Sequence, residues 1–267
     1  MIITYVVLPS NIQQDQTQMM YYNITMDAKV FDRVEKKYII TADQKKRLLK
    51  TIRSNICKDS YHKSEIYNMY FDNDNFDLII NSIDWVDFKA KIRARYYANY
   101  DYVFLEVKTK IRTTENNLGY KRRVKIGLSE YEAFSHKRQS LYEILTKENA
   151  TPNSLQIAKE IDYLISQSNL SPKILIIYNR ESYRDKDQVR ITFDKNLRFR
   201  NQNLSFIPRK NDTMFFKDER NIIMEVKTRG ALPLWLVRAM TKCDIYPERF
   251  SKIGSIYQMI NQKGKHV

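Results

Sequence analysis

The segment Lys89-Ala90-Lys91-Ile92-Arg93-Ala94-Arg95-Tyr96 alternates strictly between basic and apolar residues. Successive side chains of a β-strand point to opposite faces, so Lys89, Lys91, Arg93 and Arg95 share one face. Like charges in such a row repel one another unless something anionic lies against them. The device recurs along the chain. Arg33, Glu35 and Lys37 share a face of one segment, Glu106, Lys108 and Lys110 of another, and Lys121, Arg123 and Lys125 of a third. Arg190, Thr192 and Asp194 form a later set, Glu225, Lys227 and Arg229 the last, and Arg180 ends a strand of its own. Glu106-Val107-Lys108-Thr109 and Glu225-Val226-Lys227-Thr228 are the same tetrapeptide.

These residue types in this pattern suit a chain of phosphates. Arg binds phosphate oxygens bidentately and Lys supplies a point charge. Carboxylates are repelled by phosphate, so the acids among the bases need another purpose. Holding Mg²⁺ or Mn²⁺, which take oxygen ligands from carboxylates and phosphates together, is one. A solvated sheet face with cross-strand ion pairs is the other reading of any single strand. Glu106 and Glu225 therefore stand as either salt-bridge partners or metal ligands. The Lys89–Arg95 face contains no acid to neutralise it. Trp235 and the aromatic-rich segments read as core rather than as platforms for stacking bases.

The 267 residues carry a net charge of +15, and 43% are hydrophobic. That suits a folded chain with an anionic partner. Period-two placement of the charges argues for a lumen rather than the exposed stripe of a nucleic-acid binder, so no nucleic acid is expected. Two cysteines, Cys57 and Cys243, are too few for a disulfide scaffold, and the three histidines (His62, His136, His266) have no zinc-ligand spacing. No apolar run approaches the ~20 residues of a membrane span. Met1 to Leu8 lacks the basic start of a signal peptide, so a cytoplasmic location is expected. Glycine is scarce, at 5 residues, and no Gly-rich loop is available to cradle phosphate.

Residues 1–29 read as a lead-in, apolar over Met1 to Leu8 and polar and Gln-rich over 9–27, 30–259 as one domain and 260–267 as a basic tail. Strands are expected at 30–40, 65–71, 88–97, 102–111, 120–126, 173–180, 188–194 and 222–229. Asn99 to Asp101 is the turn of a hairpin. Thr41-Ala42-Asp43-Gln44 reads as a capping box opening a helix to about Ile56, and Ser129-Glu130-Tyr131-Glu132 as a second, opening one to about Leu145. Further helices are expected over 74–83, 154–166 and 231–243. The fold class is α+β. With one face of each strand apolar and the other charged, about eight antiparallel strands closing into a barrel, basic inside and covered by helices, would satisfy both faces.

The chain resembles the VTC domain, of the triphosphate tunnel metalloenzyme superfamily, which also contains the CYTH proteins. The resemblance runs from about Phe31 to Ile253 and rests on an ordered set of motifs. Arg33-Val34-Glu35-Lys36-Lys37-Tyr38 is similar to the opening strand and Tyr67-Asn68-Met69-Tyr70-Phe71-Asp72 to the second. Lys91-Ile92-Arg93-Ala94-Arg95, Phe104-Leu105-Glu106-Val107-Lys108 and Lys121-Arg122-Arg123 follow. Tyr178-Asn179-Arg180-Glu181, Arg190-Ile191-Thr192-Phe193-Asp194, Glu225-Val226-Lys227-Thr228-Arg229-Gly230, Pro233-Leu234-Trp235-Leu236 and Ser251-Lys252 complete it.

The resemblance implies a polyphosphate polymerase that transfers the γ-phosphate of ATP to a growing inorganic polyphosphate chain, with Mn²⁺ or Mg²⁺. Arg93, Arg95 and Lys252 are the implied catalytic residues. Arg33, Lys37, Lys91, Lys108, Arg123, Arg180, Arg190 and Lys227 join them in binding phosphate. Glu225 is the implied metal ligand, with Glu106 and Glu35 as weaker candidates. Partners would be ATP, polyphosphate and a membrane protein for export of product. A tripolyphosphatase or nucleoside triphosphatase, and a non-enzymatic polyphosphate- or nucleotide-binding module, are the alternatives. Two departures stand out: Ile253 follows Ser251-Lys252 in place of an aromatic, and Arg33 replaces the first Glu of the CYTH opening, which argues against a CYTH triphosphatase or cyclase.

Overall fold

The computed structural model describes residues 33–84, 86–98, 100–112, 117–186 and 189–264. The lead-in at 1–29, residues 30–32 of the first expected strand, Asn99 of the turn, Gln188, and residues 265–267 with His266 lie outside them. In chain order, β1 (Arg33–Ile40) leads through α1 (Ala42–Ile52) to β2 (Cys57–Asp72), α2 (Asp77–Ile83) and the three consecutive strands β3 (Phe88–Tyr97), β4 (Tyr102–Arg112) and β5 (Asn117–Gly127). The helices α3 (Leu128–Ser135), α4 (Leu141–Lys147) and α5 (Pro152–Gln167) follow. Then come β6 (Ser171–Arg184), β7 (Arg190–Arg200), the two-residue β8 (Thr213–Met214), β9 (Ile222–Arg229), α6 (Leu234–Lys242) and α7 (Lys252–Gly264).

One antiparallel sheet holds all the strands, in the order β1-β9-β7-β6-β2-β3-β4-β5, with β8 added to β7. It does not close into the expected barrel. Among the described residues no ladder joins β1 to β5. Both edge strands are strongly basic, with Lys36-Lys37 in β1 and Lys121-Arg122-Arg123 in β5. Like charges already sit side by side within the sheet, at Lys91–Lys108–Lys121, so charge alone does not hold the two edges apart. The sheet nevertheless curls. Lys37 of β1 is near enough to Lys91 of β3 to add to the fall in its pKa, and Glu35 of β1 near enough to Lys108 of β4 to oppose the fall that burial causes there, although many strands separate them in the ladder.

The convex side carries the apolar faces. Ala90, Ile92 and Ala94 of β3 and Val103, Leu105 and Val107 of β4 pack with α3, α4 and α5. Tyr38 and Ile40 of β1, Ile191 and Phe193 of β7, and Met224 and Val226 of β9 pack with α1 and α6, including Trp235. Thr41 caps α1 with a full capping box: its Oγ1 accepts from Gln44 N at 3.1 Å, and Gln44 Oε1 accepts from Thr41 N at 3.0 Å. A third core fills one end of the concave side. There Ile39, Ile174, Ile176, Leu197, Phe199 and Ile223 meet Ile253 and Ile256 of α7. Ile253, at the position expected to be aromatic, is 2% exposed and completes this core.

Several expected elements differ. The second capping box does not form: Gly127 caps α3 with no side-chain bond, and Ser129 Oγ donates to Glu130 instead. The single helix expected to Leu145 is two, because Asp162 of α5 accepts from Leu141 N and Tyr142 N, both at 2.9 Å, and so starts α4 afresh. β2 begins at Cys57 rather than near Glu65, its polar first half held by pairing with β6. The segment from 260 is not a separate tail but the continuation of α7, which runs to Gly264.

Candidate functional site

The charged faces meet on the concave side, beyond the core that α7 fills. Pairing sets Arg93 opposite both Tyr70 of β2 and Glu106 of β4, and Glu106 opposite Arg123 of β5. Glu106 is 2% exposed. Its Oε2 accepts from Arg93 Nε at 2.7 Å, its Oε1 lies 2.7 Å from Lys121 Nζ, and Arg95 Nε stands 4.0 Å away. Burial would raise this carboxyl, but Arg93, Arg95 and Lys121 hold it down at about 2. Arg95 is aimed by donating to Asn68 Oδ1 at 3.0 Å, and Arg93 by donating to the Tyr70 hydroxyl at 3.3 Å. Burial also works against an ionised Tyr70, yet Arg93 and Lys91 bring its pKa below the usual value.

Lys91 lies beside this group with no carboxylate partner among the described residues. Burial lowers its pKa to about 8, and the neighbouring Lys108, Lys37 and Arg93 add to the fall. Lys108 is lowered by burial as well, then by Lys110 and Lys227. Cations crowded until one of them nearly loses its proton form a site short of negative charge.

A second knot lies on β6, β7, β9 and α7. Asp194 has no exposed surface. It accepts two bonds from Arg180, Nε at 2.6 Å and Nη2 at 2.7 Å, and its Oδ2 lies 2.7 Å from Lys252 Nζ. Both cations also stand over the Tyr178 ring, at 5.3 and 4.9 Å from its centroid. Despite burial, Lys252 and Arg180 hold the Asp194 carboxyl below its usual range. Lys252, the first residue of α7, is thus fixed by the helix whose apolar face plugs the sheet.

Glu225 and Glu35 form the third group. Lys227 Nζ lies 2.7 Å from Glu225 Oε1 and 3.3 Å from Glu35 Oε2. Lys37 Nζ is 3.4 Å from Glu35 and donates to the Phe250 carbonyl at 3.2 Å. Arg180 Nη2 stands 4.0 Å from Glu225. Against its burial, Lys227 and Arg180 hold the Glu225 carboxyl well below the carboxylate range.

Of the remaining candidates, Arg190 is at the rim, with Nη2 3.0 Å from Asp59 and Nε donating to Ser182 Oγ at 3.1 Å. Arg123 faces the concave side over the Phe104 ring, 4.5 Å from its centroid. Arg122 faces outward to Glu160 of α5 at 2.7 Å, so Lys121 and Arg123 are the β5 residues that reach the site. Arg33 opens β1 opposite Arg229 in register, and its side chain lies outside the described residues. Lys89 leaves the row and donates to the carbonyls of Ser82 and Asp84.

Among the described residues no group of three or more Asp, Glu, His or Cys side chains converges as a metal cage. The acids that do converge are Glu35 and Glu225, and what they share is the Lys227 ammonium, a cation already between two carboxylates. Two carboxylates with phosphate oxygens completing the shell match how Mg²⁺ and Mn²⁺ are held. Glu106 fits a metal less well, since among the described residues no second carboxylate shares its cations. Asp194 and Tyr178 lie in segments the sequence points to but are not among its expected site residues. Their signal was available: Asp194 shares a face with Arg190, and Tyr178 stands two residues before Arg180.

Comparison with known proteins bears on this arrangement. The profile of the VTC domain matches residues 32–260. No curated protein sequence matches the chain. Among solved structures, a Hippeastrum protein described as a putative adenylyl cyclase with a dominant triphosphatase activity superposes with a TM-score of 0.50 at 11% identity, over 85% of this chain and 95% of that one. A protein of Pyrococcus horikoshii OT3 gives a TM-score of 0.44 at 14% identity, over 85% and 99%. The likeness to the Hippeastrum protein is one of fold. The match to the domain profile spans nearly the whole described chain and every charged strand of the concave face, and the protein belongs to the VTC domain family.

Proposed function

We propose that the protein is a polyphosphate polymerase, transferring the γ-phosphate of ATP to the end of an inorganic polyphosphate chain. The observation that carries this reading is the concave row of cations, from Lys91, Arg93 and Arg95 across to Arg180 and Lys252. It offers more positive charge than one triphosphate requires. Membership of the VTC domain family supports a substrate of the triphosphate or polyphosphate class.

In this reading Arg93 and Arg95, held rigid by Glu106, Tyr70 and Asn68, bind the transferred phosphoryl group and stabilise charge developing on its oxygens. Lys252 and Arg180, fixed by Asp194, bind the neighbouring phosphates. Lys37, Lys91, Lys108, Arg123, Lys227, Arg33 and Arg190 extend the track. A terminal oxygen of the chain attacks the γ-phosphorus, the bond to the β–γ bridging oxygen breaks, and ADP leaves. Glu225 and Glu35 would hold Mn²⁺ or Mg²⁺, which when bound would offset the negative charge of the phosphates. Glu106 serves as counter-ion to Arg93 and Lys121. No helix among the described residues is long and apolar enough to cross a membrane. In this reading the domain works on the cytoplasmic side and a membrane partner exports the product.

A triphosphatase is the second reading, favoured by the activity ascribed to the Hippeastrum neighbour. Incubating the purified protein with ATP and Mn²⁺ and separating the products by gel separates the two. Chains of many phosphates support the polymerase; free phosphate without chains supports the hydrolase. Tight binding of ATP or polyphosphate with neither product would leave a binding module.

A further inference from the structure

The concave face of β4 and β5 changes character beyond Glu106. Its next inward residues are Phe104 and Tyr102, opposite Lys125 and Gly127 in register. Their rings lie 5.3 Å apart, and Tyr97 of β3 and Tyr100 of the hairpin join them at 5.0–6.4 Å between ring centroids. Phe104, Tyr102 and Tyr100 belong to none of the three apolar cores; the cores take the opposite face of β4, where Val103 and Leu105 are fully buried. All four aromatic residues keep partial exposure. Cations cover them instead. Arg123 stands 4.5 Å over Phe104 and Lys125 4.0 Å over Tyr102. Neither cation pairs with a carboxylate among the described residues, although Lys121 two positions back is tied to Glu106.

Half-buried rings without a core, layered with cations that have no acid, match the two halves of a nucleotide. Rings and guanidinium planes stack on a base, and unpaired cations meet its first phosphate. The position is also right. Phe104 is the cross-strand partner of Arg95, and Tyr102 lies two residues further, about 7 Å along the strand. A triphosphate seated on Arg93 and Arg95 would thus present its nucleoside to these rings.

We propose that Tyr102, Phe104, Arg123 and Lys125 form the subsite for the base and α-phosphate of the nucleoside triphosphate donor, so that the donor enters from the β3–β4 hairpin end. The proposal rests on the reading of ATP as phosphate donor. Polyphosphate and inorganic tripolyphosphate, having no base, do not use the rings.

Isothermal titration of ATP and of inorganic tripolyphosphate, each with Mn²⁺, into wild-type protein, Tyr102→Ala and Lys125→Gln tests it. Loss of one stacking ring should weaken ATP binding about fivefold or more. Tripolyphosphate affinity should stay within about twofold in Tyr102→Ala, which also shows that the variant folds. Lys125→Gln, an exposed change, should weaken ATP more than tripolyphosphate. Equal losses for both ligands, or no loss for either, overturns the subsite alone. Wild-type protein that binds tripolyphosphate but not ATP overturns the donor reading and the subsite with it.

Discussion

Replacing Glu106 with Gln keeps the shape of the side chain and removes the one negative charge among Arg93, Arg95 and Lys121. The carboxyl is 2% exposed, so solvent does little to screen what is lost. Its pKa falls from 4.5 to about 2 on folding, burial notwithstanding, because of those three cations. At 1.36 kcal/mol per pKa unit, that fall corresponds to about 3 kcal/mol of stability at pH 7. The figure agrees with the ~3–5 kcal/mol lost when one partner of a buried ion pair is removed. Because the folded pKa is the depressed one, this stability is fully present above about pH 4.5 and is lost as pH falls through about 2. Urea unfolding of wild type and Glu106→Gln between pH 3 and 7 should show a gap of about 3 kcal/mol at pH 7 that falls below half by pH 3. Inorganic tripolyphosphate should narrow the gap at pH 7 by supplying the missing negative charge. A variant as stable as wild type at pH 7, but unable to bind Mn²⁺, would refute the counter-ion account and make Glu106 a metal ligand.

Lys227 occupies the position of a cation between Glu225 and Glu35. Lys227→Gln should therefore bind Mn²⁺ several-fold more tightly, read from the loss of the free-ion EPR signal; unchanged or weaker binding would show that this carboxylate pair does not hold the metal. Lys91, whose pKa burial lowers to about 8, is largely neutral in the free protein once the pH is well above that value. A bound anion restores its charge. Tripolyphosphate binding at about pH 9 should take up protons, seen by calorimetry in buffers of different ionisation enthalpy, and Lys91→Met should reduce that uptake, with Lys108 and Lys121, also lowered by burial, supplying the rest; uptake unchanged in Lys91→Met would contradict it.

The two faces of the strands were legible because the side-chain period is two. Alternation plus the β3–β4–β5 meander puts Arg93, Glu106 and Lys121 on one face and Arg93 opposite Glu106, but the ladder partner of Glu106 is Arg123, and its pair with Lys121 is diagonal. The same rule sorted Arg123 inward and Arg122 outward, where Glu160 meets it. The Asp194–Arg180–Lys252 knot was not legible as a knot. It joins strands and a helix far apart in sequence, and pairing partners of that kind are set by the topology. α7 was missed although Ile253, Ile256 and Ile260 recur at helical spacing, because the polar residues among them resemble a tail. The second capping box failed because α3 begins one residue early, at Leu128, which puts Ser129 inside the helix, where it donates to Glu130 instead of capping; Asp162 then starts α4 afresh from another helix. The polar start of β2 carries no alternation, and its order comes from Asp59, which accepts from Ser182 Oγ at 2.9 Å and pairs with Arg190. Closure of the sheet could not be read from strand count, since alternation fixes the faces of the strands but not whether the first and last of the order meet.

The central claim is transfer of phosphate to a phosphate chain on this concave face. ATP labelled at the γ-phosphorus, incubated with the protein, Mn²⁺ and short unlabelled polyphosphate, tests it most directly. The account predicts label in chains longer than those supplied, and loss of that label in Arg93→Ala and in Glu225→Ala. Label appearing in free phosphate alone, or lengthened chains that persist in both variants, would contradict it.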